Sequence, residues 1–152
     1  MPKHQPNRRT AIAKISAVAC LRLGALALVG PAQAQVVNVT GAELEAMQLK
    51  PEGITLDFAP LADTGFSVPL AANLQAPPGL KIQMVEVFLP ENPNTRALKL
   101  RLIEPQSSYH FSTRLRLAGS QEAWVVVTLT DGSKRGAHAP TIVTSSACFD
   151  GS

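Results

Sequence analysis

The chain has 152 residues, 45% of them hydrophobic, which is enough to build one domain with a modest core and too little for two of ordinary size. Fourteen basic residues against eleven acidic ones give a formal charge of +3, a balance that by itself would suggest a nucleic-acid partner. The charge is unevenly placed, however: five of the fourteen basic residues stand in the first 34 positions.

Those positions have the three-part layout of a secretory signal. Lys3, Arg8 and Arg9 make a basic head, residues 11–29 are mostly apolar, and Pro31-Ala32-Gln33-Ala34 offers an A-x-A cleavage site with Gln35 as the first mature residue. Arg8-Arg9-Thr10-Ala11-Ile12 resembles a twin-arginine signal, which exports folded bacterial proteins. Ala11 stands where a bulkier apolar residue is usual, and Lys14 and Arg22 interrupt the apolar region. The alternative, a retained anchor, is the weaker one, since a spanning helix needs about 20 apolar residues with few charges.

Cleavage after residue 34 leaves 118 residues with nine basic and eleven acidic side chains, near −2, and removes the compositional case for nucleic acid. It also removes Cys20. Cys148 is then the one mature cysteine, in a compartment where paired cysteines oxidise, and an odd thiol there points to intermolecular pairing or to a reactive group.

Residues 41–49 (Gly-Ala-Glu-Leu-Glu-Ala-Met-Gln-Leu) form the one helix-like piece, ended by Lys50-Pro51. Asn38-Val39-Thr40 matches a glycosylation sequon, a chance match behind a bacterial leader. After the helix the chain is β. Runs rich in Val, Ile, Leu and Thr, at 54–58, 66–74, 81–89, 97–103, 109–117, 123–129 and 136–144, are separated by Pro, Gly, Asn and Asp. Leu98, Leu100 and Leu102 share one face and Lys99 and Arg101 the other; Phe111, Thr113, Leu115 and Leu117 oppose Arg114 and Arg116. A period of two with one polar face predicts antiparallel strands packed on a core from one side. Ala76-Pro77-Pro78-Gly79, Pro90-Glu91-Asn92-Pro93-Asn94 and Asp131-Gly132-Ser133 are turn chemistry. The expected fold is all-β, an immunoglobulin-like antiparallel β-sandwich of about seven strands with a short N-terminal helix, spanning 35–142. No Cys–Trp–Cys pattern occurs, and Trp124 reads as a core or interface anchor.

The chemistry-bearing residues are few. His110 and His138 are the only mature histidines, and with Met84 and Cys148 they show no metal-ligand spacing; one reads as the start of a strand and the other as part of an exposed hairpin. No serine sits in a G-x-S-x-G elbow, no Gly-rich phosphate loop occurs, and Arg114 and Arg116 read as solvated charges or a minor partner patch. No cofactor or metal is expected.

Residues 143–152 end the chain as small and polar residues around Cys148, and they read as a flexible arm that can extend roughly 30 Å. A free thiol is only a few per cent thiolate at neutral pH, and Asp150 would disfavour a second negative charge beside it. A self-contained enzyme places a base next to its nucleophile, and none is evident. A carrier has no such need, because a partner's active site can activate the thiol. The alternative is a spare thiol on a frayed tail.

Val68-Pro69-Leu70, residues 81–89, Glu91-Asn92-Pro93, Phe111-Ser112-Thr113-Arg114-Leu115-Arg116-Leu117-Ala118, Leu129-Thr130-Asp131-Gly132-Ser133 and the near-terminal Cys148 together resemble SoxY, the sulfur-carrier subunit of bacterial periplasmic thiosulfate oxidation. The resemblance implies an immunoglobulin-like sandwich, a SoxZ-like β-sandwich subunit as heterodimer partner, sulfur-oxidising enzymes or cytochromes as further partners, and Cys148 as the covalent attachment residue. Typical members carry the cysteine in Gly-Gly-Cys-Gly-Gly. Here it stands in Ser145-Ser146-Ala147-Cys148-Phe149-Asp150, closer to a SoxY-related branch reading Ala-Ala-Cys-Ile-Glu. Ser145, Ser146 and Ala147 would then supply flexibility, and Phe149 and Asp150 would be read by a partner. The reading is a periplasmic carrier and not an enzyme. Its alternatives are an exported binding subunit whose cysteine carries no sulfur or a different cargo, and a thiol-dependent transferase or redox enzyme.

Overall fold

The structure is a computed structural model and describes residues 38–145. The leader and the residues beyond Ser145 lie outside the described residues. One short helix, α1 (Gly41–Ala46), precedes eight strands: β1 (Ile54–Phe58), β2 (Leu61–Thr64), β3 (Val68–Gln75), β4 (Ile82–Phe88), β5 (Arg96–Gln106), β6 (Ser108–Leu115), β7 (Gln121–Leu129) and β8 (Lys134–Ser145).

The strands form two sheets, ordered β1-β3-β6 and β2-β8-β7-β4-β5. Period-two burial follows the sequence pattern. In β3, Val68, Leu70, Ala72 and Leu74 point inward and are buried, and in β6 Phe111 and Leu115 do the same, while Arg114 and then Arg116 face solvent. From the other sheet Ile82, Val85, Val87, Ala123, Val125, Val127 and Leu129 complete the core. Each fully buried Val or Leu contributes about 1.5–3 kcal/mol relative to exposure, so this layer is what holds the sheets together.

β7 is apolar without alternation because both its faces are covered. Trp124 and Val126 point away from the main core and meet Phe88 and Leu44 of α1 in a second, smaller cluster. The helix is held for that task by a capping box. The Glu43 N–H donates to Thr40 Oγ1 at 3.3 Å, and the Glu43 carboxylate accepts from the Thr40 N–H at 2.8 Å and its hydroxyl at 2.9 Å. These bonds to the charged form hold the Glu43 carboxyl below its ordinary range.

Two expectations change. The helix stops at Ala46 and not at Leu49, because Gln48 turns into the left-handed region at φ 46° and Leu49 then packs against the smaller cluster. β2 is an eighth strand, and it pairs in parallel with β8, Leu61 opposite Ile142 and Thr64 opposite Ser145, whereas every other pairing is antiparallel. Four mostly exposed residues carry no periodicity to detect. The turn at Asp131-Gly132-Ser133 is as the residues predict: Gly132 takes φ +83°, and the Asp131 carboxylate accepts from the Ser133 N–H at 2.9 Å and hydroxyl at 2.6 Å.

Candidate functional site: the root of the C-terminal arm

β8 runs to Ser145, next to the segment that bears Cys148 in the sequence. Val143 and Thr144, which the sequence reads both as the end of the 136–144 strand run and as the start of the arm, and Ser145 are the last residues of β8. Val143 is only 8% exposed and joins the main core. Its N–H donates to Ser120 Oγ at 2.9 Å, and that hydroxyl faces the Val143 carbonyl at 3.4 Å. The Thr144 hydroxyl donates to the Asp63 carbonyl at 2.7 Å, and the Gly65 N–H donates to the Ser145 carbonyl at 3.0 Å. These residues look like a tail because they are small and polar. They are held by the backbone ladder to β2, which leaves no mark on the side-chain pattern. Ser146, Ala147, Cys148, Phe149 and Asp150 lie outside the described residues.

Three links gather around this root: 65–67 between β2 and β3, 89–95 between β4 and β5, and 116–120 between β6 and β7. They meet because Val68 pairs with Leu115, Phe88 with Trp124 and Gln121 with Thr141 across the ladders. Asn92 ties two of them together. Its Nδ2 donates to the Arg116 carbonyl at 2.7 Å, and its Oδ1 accepts from the Ala118 N–H at 2.9 Å and from Gln121 Nε2 at 2.8 Å. Gln121, itself buried, accepts from the Glu91 N–H at 3.1 Å. The Leu117 N–H donates to the Gly65 carbonyl at 2.8 Å, and Gly65 holds Ser145. The segments Glu91-Asn92-Pro93 and Phe111–Ala118, far apart in the chain, are thus one network supporting the root. Side chains that spend their bonds on backbone groups make such a platform rigid.

The surface on either side of the root differs in charge. Arg116 places its guanidinium 5.4 Å from the Phe66 ring centre, and Phe66 itself is half exposed. Arg114 donates to the Ser67 carbonyl at 3.3 Å and to its hydroxyl at 3.1 Å. Both arginines, which read as solvated charges in the sequence, lean onto the 65–67 link instead. On the other side a shallow depression is lined by Glu45, Glu91, Ser120, Glu122 and Trp124.

The remaining candidates do not assemble. His110 lies on β6, exposed, with Nδ1 2.8 Å from Asn73 Oδ1. His138 lies exposed in β8 of the β7–β8 hairpin, as expected, stacked on Trp124 at 4.2 Å between ring centres, with Nδ1 3.2 Å from Glu122 Oε2. Met84 is on β4. The two histidines belong to different sheets, and no group of three or more His, Cys, Asp or Glu is placed to hold a metal among the described residues. Trp124 is an anchor, 5% exposed beneath α1. Sequence reasoning missed Asn92 and Ser120. An Asn inside a Pro-flanked turn reads as turn chemistry, and only the fold reveals that its amide faces another loop.

No helix among the described residues is long and apolar enough to cross a membrane. No curated protein matches the chain. Among solved structures, the sulfur carrier protein SoxY from Chlorobium limicola f thiosulfatophilum superposes with a TM-score of 0.54 at 22% identity, over 61% of this chain and 80% of that one. A superoxide reductase (neelaredoxin) from Ignicoccus hospitalis gives a TM-score of 0.48 at 11% identity, over 69% of this chain and 93% of that one. The first of these supports the immunoglobulin-like sandwich. The family model of the sulfur oxidation protein SoxY matches residues 37–148, most of the chain and up to the cysteine itself, and the chain therefore belongs to the SoxY family.

Proposed function

We propose that this chain is a periplasmic carrier that holds sulfur intermediates covalently on Cys148 and presents them to partner enzymes of sulfur oxidation. The observation that carries the reading is the end of β8. A strand built into the core delivers the chain to Ser145 on a rigid platform, and the cysteine follows three residues later. Three residues reach about 10 Å when extended, against about 17 Å for the five residues that would separate the cysteine from an arm starting at 143. The partner's active site therefore has to come to this end of the sandwich.

The carrier needs no catalytic base of its own. A thiol becomes a nucleophile when a partner lowers its pKa or removes its proton. The cargo sits on Cys148 as a persulfide or an S-sulfonate-like adduct. Ser146 and Ala147 leave the approach narrow, while Phe149 and Asp150 are the features a partner reads, in the manner of the Ala-Ala-Cys-Ile-Glu branch. A SoxZ-like β-sandwich subunit is the heterodimer partner, and residues 1–34 are the leader removed on export. The test is sulfur-dependent mass on Cys148. A Cys148→Ser variant that supports sulfur oxidation as well as the wild type would overturn the carrier role and leave a binding subunit with the family's fold.

A further inference from the structure

The end of β8 is tied to one link of the root. The Gly65 N–H donates to the Ser145 carbonyl at 3.0 Å, and the Gly65 carbonyl accepts from the Leu117 N–H at 2.8 Å. Phe66 follows Gly65 and Arg116 precedes Leu117, so both side chains stand one residue from this junction. Phe66 is 53% exposed even with the Arg116 guanidinium 5.4 Å from its ring centre. Arg114, also exposed, donates to the Ser67 carbonyl and hydroxyl and so rests on the same link. A phenyl ring with two guanidinium groups beside it forms a ledge next to the last described residue.

The sequence beyond Ser145 selects the occupant. Residues 146–152, Ser-Ala-Cys-Phe-Asp-Gly-Ser, contain one aromatic side chain and one acid, Phe149 and Asp150, side by side. Aromatic rings pair with rings, and carboxylates with guanidinium groups, so the ledge offers a partner to each. The reach suffices. Four residues from Ser145 to Phe149 span about 13 Å when extended, whereas Gly65 and Phe66 are neighbours about 3.8 Å apart. Charge disfavours the other side of the root, where the depression is lined by Glu45, Glu91 and Glu122, like charges to Asp150. Segments 61–67 and 114–117 carry Arg114 and Arg116 against Asp63 alone. Exposed contacts of this kind are weak singly, but a short tether holds the two surfaces together at an effective concentration on the order of mM. A separate molecule has to exceed that to take the ledge.

We infer that the Phe66–Arg116 ledge is a docking site for the chain's own C-terminal segment, with the Phe149 ring against Phe66 and the Asp150 carboxylate against Arg116 and Arg114. A partner that takes Cys148 then competes with the ledge for Phe149 and Asp150. The inference goes beyond the carrier reading and needs no cargo on the thiol.

The test uses the mature protein, whose one cysteine takes a nitroxide label at Cys148. Paramagnetic relaxation of the amide protons maps where the label spends its time. In the wild type the enhancement at residues 65–67 and 114–117 exceeds that at Ala42, Glu45, Glu91 and Glu122 about threefold or more. Residues 65–67 adjoin the root in any case, so the variants decide. Asp150→Lys, Phe149→Ser and Phe66→Ser each lower the enhancement at Arg114 and Arg116 about twofold or more, and salt at about 0.5 M does the same in the wild type. Arg114→Glu with Arg116→Glu also lowers it, and adding Asp150→Lys to that pair restores it, a rescue that a merely structural effect would not give. An unchanged melting midpoint verifies that each variant is folded. Enhancement that the Phe149 and Asp150 variants leave unmoved, or that centres on Glu45, Glu91 and Glu122 or on Leu61 and Ile142, overturns the inference. A docked segment whose thiol stays bare in the periplasm would sink only the carrier reading, and a loaded thiol without this bias only the docking site.

Discussion

Ser120 and Val143 are joined through a single hydroxyl: the Val143 N–H donates to Ser120 Oγ at 2.9 Å, and the same oxygen lies 3.4 Å from the Val143 carbonyl. The 116–120 link thereby grips the last core residue among the described residues. Ser120→Ala removes the acceptor and leaves a part-buried N–H without it, costing about 1–3 kcal/mol. Val143→Asp costs more, because it sets an unpaired charge in the core. Urea denaturation reads both, and amide exchange at Val143 and Ser145 quickens before global unfolding in Ser120→Ala. Variants as stable as the wild type would show that the arm begins at 143 after all.

Asn92 carries three hydrogen bonds between two loops. Asn92→Ala strands the Ala118 N–H and leaves Gln121 Nε2 only the Gly119 carbonyl at 3.5 Å, so a loss of about 1–3 kcal/mol follows. Substituting a loop asparagine on a free surface would change stability by about 0.5 kcal/mol or less. Chemical denaturation separates the two outcomes.

Two glycines are required where backbone or side chains leave no room. Gly53 sits at φ +83°, and a Cβ there would stand 2.2 Å from the Gln75 carbonyl oxygen; that carbonyl is backbone and part of a paired strand. Gly136 would place a Cβ 2.6 Å from Leu49 Cδ1. Gly53→Ala is expected to cost about 2 kcal/mol or more, and Gly136→Ala less, since the tip of a leucine can move. Thermal midpoints rank the pair, and the reverse order would contradict this packing.

Acid acts on the helix cap and the β7–β8 turn. Thr40 hydrogen bonds hold the Glu43 carboxyl below its ordinary value of 4.5, and Ser133 hydrogen bonds hold Asp131 below 3.8. Groups depressed in the folded state contribute stability that is complete above those ordinary values and is lost as pH falls through the lower folded ones. Carboxyl-carbon NMR titration should find both midpoints below the ordinary values, and Glu43→Gln should abolish the acid sensitivity of α1 amide exchange. A Glu43 midpoint at or above 4.5 would contradict the capping box.

The alternation of Leu98, Leu100 and Leu102, of Phe111 and Leu115, and the Asp131-Gly132-Ser133 turn made the sandwich legible, since each is a local pattern that burial enforces. β2 was illegible because its order comes from a parallel ladder between distant segments with little apolar content, whereas the 136–144 run anticipates most of β8 and overlaps the arm read from 143. The family's own segments could be recognised without revealing that Asn92 links them.

The central claim rests on Cys148. Intact mass of the mature protein, purified from periplasm without reductant and followed by peptide mapping of the tail, tests it most directly. The account predicts added mass in sulfur- or sulfonate-sized increments, mapped to Cys148 and removed by reductant, while sulfur oxidation is active. A bare thiol under those conditions would contradict it.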